Sequence, residues 1–174
     1  MMPSAENSAL LAGIHPALAS SLEARGYSHL TPVQLEMANA DTEADLLVSA
    51  QTGSGKTVAF GIAIASTLLA SAERFGTAGR PLGLVIAPTR ELAMQVRSEL
   101  DWLFSATQIA TTTCVGGMDM RKERRALERG AHLVVGTPGG IAGRYSTKPT
   151  KCWTAGFGTT SNSSSVRRRS SAGR

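Results

Sequence analysis

The run Ala50-Gln51-Thr52-Gly53-Ser54-Gly55-Lys56-Thr57 constrains this chain more than any other stretch. The apolar triplet Leu46-Leu47-Val48 precedes it, and a helix-forming segment from Val58 to Leu69 follows. Strand, glycine turn and helix in that order turn successive backbone N–H groups inward, because Gly53 and Gly55 put no side chain in the way. The helix N-terminus adds partial positive charge. Such a loop cradles phosphate oxygens. Lys56 would reach the β- and γ-phosphates of a nucleotide, and the Thr57 hydroxyl would hold Mg2+. The usual pattern has glycine where Ala50 stands, but that position ends the strand, where a methyl group fits. A chance glycine turn ahead of a helix is the competing explanation. Gly-Lys-Thr lying between the strand and the helix argues against it.

Upstream, His15 to Arg25 reads as a short amphipathic helix, with Leu18 and Leu22 four apart and Gly26 placed to end it. In Gly26-Tyr27-Ser28-His29-Leu30-Thr31-Pro32-Val33-Gln34, Thr31 is a good N-cap and Pro32 suits the first helical position. A second helix is predicted from there to about Ala40.

Downstream, Ser71 to Pro81 is a polar connection and Leu82-Gly83-Leu84-Val85-Ile86-Ala87 a buried strand. Pro88-Thr89-Arg90-Glu91-Leu92 opens a helix with apolar positions at Leu92, Val96 and Leu100. The β-branched stretch Ile109 to Val115 predicts a third strand, broken by Gly116-Gly117. Met118 to Arg129 is a charged helix stopped by Gly130, and His132 to Val135 is a fourth strand ending at Gly136-Thr137-Pro138-Gly139. Strands alternate with helices, and each strand is apolar on both faces. The fold class is therefore α/β, a parallel sheet sandwiched by helices. Ligands gather at the carboxyl ends of the strands in such sheets. The phosphate loop, Pro88-Thr89-Arg90, Gly116-Gly117 and Thr137-Pro138 all fall at such ends.

With those segments in order, residues from about 15 to 139 resemble the first RecA-like domain of a DEAD-box ATP-dependent RNA helicase. Gly-Tyr-x-x-x-Thr-Pro-x-Gln, Ala-x-Thr-Gly-Ser-Gly-Lys-Thr, Pro-Thr-Arg-Glu-Leu, Gly-Gly and Thr-Pro-Gly are together far more specific than any one of them. The resemblance implies that Gln34 hydrogen-bonds the adenine of ATP and that Tyr27 packs near the base. Residues Ala50, Gln51, Thr52, Gly53, Ser54, Gly55, Lys56 and Thr57 would hold the phosphates. Pro88, Thr89, Arg90, Gly116, Gly117, Thr137 and Pro138 would form the surface for the sugar–phosphate backbone of one RNA strand. Backbone contacts carry no base information, so this binding would be sequence-independent. Two departures stand out. No aromatic residue lies between residues 1 and 26, where the family usually has one, and Gly140 replaces the family's Arg after Thr-Pro-Gly.

Other signals weigh less. The net charge of +5 comes from the C-terminal end. Residues 1–145 carry twelve bases against all thirteen acids, whereas Lys148, Lys151, Arg167, Arg168, Arg169 and Arg174 face no acid. The high pI therefore says nothing about the folded part. Arg121, Lys122, Arg124, Arg125 and Arg129 suggest a nucleic-acid patch, but Glu123 and Glu128 interrupt them, so a solvated helix face is preferred. His15, His29 and His132 lack metal-ligand spacing and receive no role. Cys114 and Cys152 read as reduced thiols. The N-terminal residues lack a basic-then-apolar leader, and the longest apolar run, Val58 to Ala70, is too short to span a bilayer. A soluble, cytoplasmic protein without membrane contact is expected; its protein partners are not legible.

The sequence divides into a flexible 1–14, a partial ATP-binding domain over 15–145, and a tail over 146–174. The tail has no Leu, Ile, Asp or Glu and is crowded with Ser, Thr, Gly and Arg, so it should be disordered. The family's Asp-Glu-Ala-Asp element is missing, along with its later Ser-Ala-Thr motif and second domain. If the tail's codons are read one base earlier, the genetic code permits Leu-Asp-Glu-Ala-Asp-Glu-Met-Leu-Asp-x-Gly-Phe-Arg-Asp-Asp-Leu-Glu-Phe-Ile-Leu from Ser146 to Ser165. Trp153, with its single codon, forces the Asp after Met-Leu. A frameshift between Gly139 and Ser146, with loss of several codons, accounts for this; a genuine basic tail that binds RNA through charge is the alternative.

The expected lineage is an RNA-dependent ATPase and helicase. This chain, lacking the Mg2+ carboxylate, the water-orienting Glu and the arginine finger, is expected to be an inactive fragment that binds nucleotide and RNA weakly. Two alternatives stay open: a non-enzymatic RNA-binding protein using the basic tail, and another kind of phosphate-loop enzyme. The lost strand belongs in the middle of the sheet, so its absence should leave unpaired edges and exposed apolar faces, and hence poor solubility.

Overall fold

The computed structural model describes residues 13–41, 45–69, 71–117, 120–142, 151–154 and 165–169. These form two compact units, one from residues 1–73 with 157–174 and the other from 74–156.

The first described element of the first unit is α1 (Pro16–Ala24), whose N-cap His15 accepts the Ala17 N–H on Nδ1. Leu18 and Leu22 are fully buried, four residues apart as the periodicity requires. The backbone of Gly26, at φ 80°, carries the chain out of the helix. α2 (Pro32–Ala38) starts on N-cap Thr31 with proline in its first turn. β1 (Asp45–Ser49) leads into the phosphate loop, and α3 (Lys56–Leu68) leaves it. Val33 and Met37 of α2 pack with Ala50, Ala59 and Ala63, and Leu46 and Val48 lie against this cluster. Leu47, on the other face of β1, is 64% exposed, so β1 is not apolar-buried on both sides as its sequence suggested.

The second unit is a parallel four-stranded sheet in the order β3-β4-β2-β5. Its strands are β2 (Gly83–Ile86), β3 (Thr111–Cys114), β4 (Leu133–Gly136) and β5 (Lys151–Thr154). α4 (Arg90–Leu103) buries Ala93, Val96, Leu100 and Leu103, a stripe at helical spacing. α5 (Met120–Glu128) and the five-residue α6 (Pro138–Ala142) complete it. Leu84, Cys114, Ala131 and Val134 form the core here, covered by Ile86, Leu127 and Ile141.

This is the expected α/β class, and its incompleteness has a definite form. β1 is absent from the four-stranded sheet and pairs antiparallel with β6 (Ser165–Arg169), Asp45 opposite Arg169 and Ser49 opposite Ser165. Both β5 and β6 come from the segment expected to lack order. Their pairing has a simple cause: an open strand edge bonds any extended backbone, whatever its side chains. The remaining tail positions, and residues 1–12 of the expected flexible N-terminus, lie outside the described residues.

Candidate phosphate loop and nucleic-acid edge

The phosphate loop turns on two left-handed glycines, Gly53 at φ 81° and Gly55 at φ 83°. An L side chain adopts that conformation only at a cost, which explains glycine at both. Gly55 caps α3, so the loop's last N–H groups belong to a helix N-terminus. Lys56 folds back on the loop, its Nζ donating to the carbonyls of Ala50 (2.5 Å) and Gln51 (2.6 Å). The ammonium thus sits among carbonyl oxygens that a bound phosphate would outbid for it. Gln51, Thr52 and Gly53 are exposed, and Thr57, at the second position of α3, is half-buried.

Ser54 supplies the most telling atom. Its Oγ is buried and, among the described residues, has no hydrogen-bond partner. A buried hydroxyl without a partner loses its hydration for nothing, so a ligand oxygen is the natural complement. The residues present therefore fit a nucleotide's phosphates. For Mg2+ they offer less. Thr57 supplies one hydroxyl, and among the described residues no group of three or more His, Cys, Asp or Glu is placed to hold a metal ion.

The segment before α2 is bound directly to this loop. Gln34 is completely buried. Its Oε1 accepts the Thr31 N–H (3.0 Å), and its Nε2 donates to Gly55 O (3.3 Å). The Thr31 hydroxyl donates to Ser54 O (2.9 Å). Two consecutive loop carbonyls are thereby held by two residues of one helix start. Tyr27 is half-buried after α1, its N–H bonded to Leu22 O.

The second set of sequence-predicted residues assembles at the carboxyl edge of the four-stranded sheet. Thr89 caps α4 by accepting the Leu92 N–H (3.2 Å), which leaves Arg90 at the helix start. Arg90 Nη2 donates to Gly116 O (2.5 Å) across the strand ends. Gly116 and Gly117 both have positive φ, 70° and 66°, and a Cβ on Gly117 would strike the Arg90 guanidinium. Thr137 uses its hydroxyl twice, donating to Val115 O (3.0 Å) and accepting the Gly140 N–H (3.2 Å) to start α6. Pro88 and Pro138 are exposed at the same edge. The structure therefore brings 88–90, 116–117 and 137–138 together, while the phosphate loop follows β1 in the other unit. Gly140, which stands where the resemblance leads one to expect Arg, is buried, and a Cβ there would collide with Cys114 O. α6 packs on the end of β3 because that side chain is missing.

Two polar residues were misjudged from sequence alone. Glu123 was counted as a surface charge, yet it is buried, and its Oε1 accepts the Val115 N–H (3.0 Å) just beyond β3. Its position on the inward side of α5, level with Leu127, is the signal that could have shown this. His132, given no role, stitches loops together. Its Nδ1 accepts the Ala110 N–H (2.9 Å), Nε2 lies 3.1 Å from Gly76 O, and the ring stacks on Phe75 at 4.8 Å. Those partners assign the proton to Nε2. Burial pushes the His132 pKa down, partly opposed by the Gly76 carbonyl.

Comparison with known proteins follows the same segments. The DEAD/DEAH box helicase family profile matches residues 31–155. The chain is 40% identical over 131 residues to DEAD-box ATP-dependent RNA helicase 53 of Oryza sativa subsp. japonica, covering 74% of this chain and 21% of that protein. It is 36% identical over 137 residues to DEAD-box ATP-dependent RNA helicase CshA of Bacillus cereus, covering 78% and 25%. The chain thus spans about a quarter or less of the curated relatives it matches. The crystal structure of the yeast DEAD-box splicing factor Prp28 superposes with a TM-score of 0.64 at 27% identity, over 77% of this chain and 33% of that one. Among the described residues no helix is long and apolar enough to cross a membrane.

Proposed function

The chain belongs to the DEAD/DEAH box helicase family, and from that premise we propose that it binds ATP at residues 50–57 and a single RNA strand at the edge formed by Arg90, Gly116, Gly117 and Thr137. The buried, partnerless Ser54 Oγ beside two left-handed glycines carries the nucleotide half of this reading. On binding, Lys56 leaves the carbonyls of Ala50 and Gln51 for the β- and γ-phosphates, and Thr57 would offer its hydroxyl to Mg2+. Gln34 is buried with its amide bonded to Thr31 and Gly55, so pairing with the donor–acceptor edge of adenine, as amides do with N6 and N7, requires it to exchange those partners on binding. Tyr27 lies near the base. The RNA contacts are to backbone and therefore sequence-independent, and the protein works in the cytoplasm.

By lineage the activity is unwinding coupled to ATP hydrolysis. The 174-residue chain itself is an inactive fragment in this reading, because no Asp or Glu follows Glu128. Loss of a group that stabilises the transition state costs orders of magnitude in rate. Titration with a fluorescent ATP analogue tests the nucleotide half. Saturable binding that ATP displaces better than GTP, and that Lys56→Ala abolishes, is expected; binding indifferent to Lys56 would refute it.

The six bases after residue 145 favour one second reading, a non-enzymatic RNA-binding protein held by charge. Its mark is nucleotide-independent RNA binding that collapses with salt and disappears when residues 146–174 are removed.

A further inference from the structure

The sequence of α5 interleaves acids with bases, and in one dimension the acids dilute the positive charge. The fold removes that dilution. Glu123 turns inward, buried and bonded to Val115 N–H. Glu128 is engaged by Arg124 in an i,i+4 pair (2.8 Å) that is exposed on both sides. At 3.6 residues per turn, Arg121, Arg125, Arg129 and Lys122 fall within an arc of about 100° centred nearly opposite Glu123 and Leu127. All four are exposed. The Arg124–Glu128 pair lies on the flank of this arc. Arg129 still follows the helical path, its N–H bonded to Arg125 O (3.1 Å). The result is a cationic stripe about 12 Å long on the face away from Glu123 and Leu127, with the Arg124–Glu128 pair along one side.

Its position gives it a partner. The bond from Glu123 to Val115 holds the first turn of α5 against the carboxyl end of β3, next to Gly116-Gly117 and the Arg90 guanidinium. The stripe therefore starts at the edge proposed for RNA and runs away from it. We propose that α5 extends the RNA surface, its Arg121, Arg125 and Arg129 neutralising successive phosphates of the strand beyond the Gly116-Gly117 turn. This rests on the RNA reading above. Arginine suits the task because its guanidinium bonds phosphate through two N–H groups and stays charged at any working pH. The alternative, a merely solvated helix face, predicts no loss of affinity when the stripe is neutralised.

The test is fluorescence anisotropy of a labelled 20-nucleotide oligouridylate with the full chain, over a range of KCl. The combined Arg121→Gln, Arg125→Gln, Arg129→Gln variant should bind at least ten-fold more weakly. Its log–log salt slope should flatten by about 2, which is three contacts at roughly 0.7 each. The corresponding Lys variant should restore the slope, and unchanged far-UV circular dichroism should accompany both. Wild-type affinity and slope in the Gln variant would overturn the proposal. Arg90→Ala separates the two levels: if it weakens binding while the Gln variant does not, the stripe alone is wrong. If neither matters and Arg167→Gln, Arg168→Gln, Arg169→Gln abolishes binding, the RNA edge and the stripe both fail.

Discussion

Gly53 and Gly55 have nearly the same backbone, φ 81° and 83°, yet alanine should cost very different amounts at the two. At Gly53 an added Cβ meets nothing within 4 Å. Only the left-handed strain remains, about 1–2 kcal/mol. At Gly55 the Cβ would collide with the Gln34 amide nitrogen, lie 3.2 Å from its Cδ and 3.5 Å from Thr31 Oγ1. Gln34 is fully buried and its amide is bonded at both ends, so it cannot step aside without losing the Thr31 and Gly55 partners. Two hydrogen bonds at about 0.5–1.5 kcal/mol each add roughly 1–3 kcal/mol. Alanine is also a poorer N-cap than glycine, by about 1 kcal/mol. Gly55→Ala should therefore exceed Gly53→Ala by about 2–4 kcal/mol in urea denaturation followed by circular dichroism. In a Gln34→Ala background the excess should shrink to the N-cap difference, about 1 kcal/mol. Equal costs for the two glycines with Gln34 present would refute the reasoning, since the clamp between α2 and the loop would then carry no energy.

The remaining predictions are shorter. Because burial depresses the His132 pKa below its ordinary 6.5, the unfolded chain takes up the proton first as pH falls. Stability should be full above about 6.5 and decline below it, and His132→Gln should flatten that decline in urea midpoints measured from pH 7.5 to 5. The gene read across codons 139–165 should spell Leu-Asp-Glu-Ala-Asp-Glu-Met-Leu-Asp in the frame one base earlier; any other sequence there ends the frameshift account.

Much of this fold was legible because its signals are local. The cap at Thr31, the helix opening at residues 88–92, the glycine turns and the apolar runs of β2 and β4 each fix their element with nearest neighbours alone, so observed boundaries fall within a few residues of those predicted. What was missed depends on the third dimension. Glu123 looks like any surface acid until the helix is docked on β3, and His132 finds its partners at Ala110 and Gly76, far away in sequence. α6 was not foreseen because Gly139-Gly140 argues against a helix, whereas the Thr137 cap and the close approach of Gly140 to Cys114 O favour one. β5 and β6 were illegible for a different reason. They pair with the open edges of β2 and β1, and the few strand-favouring residues among them, Trp153, Thr154 and Val166, form no alternating or apolar run that would announce a strand.

Among the candidate residues, the left-handed turns at Gly53 and Gly55 were legible because the strand, glycines and helix are contiguous. The tie of Arg90 to Gly116, and of Thr137 to Val115 and Gly140, emerged only from the sheet edge.

The central proposal is that residues 50–57 hold ATP while the 174-residue chain, with no Asp or Glu after Glu128, does not cleave it. Steady-state release of phosphate by the purified 174-residue chain, with saturating single-stranded RNA and Mg2+-ATP, measures it directly. The account predicts turnover indistinguishable from Lys56→Ala alongside Lys56-dependent ATP binding. RNA-stimulated hydrolysis that Lys56→Ala abolishes would contradict it.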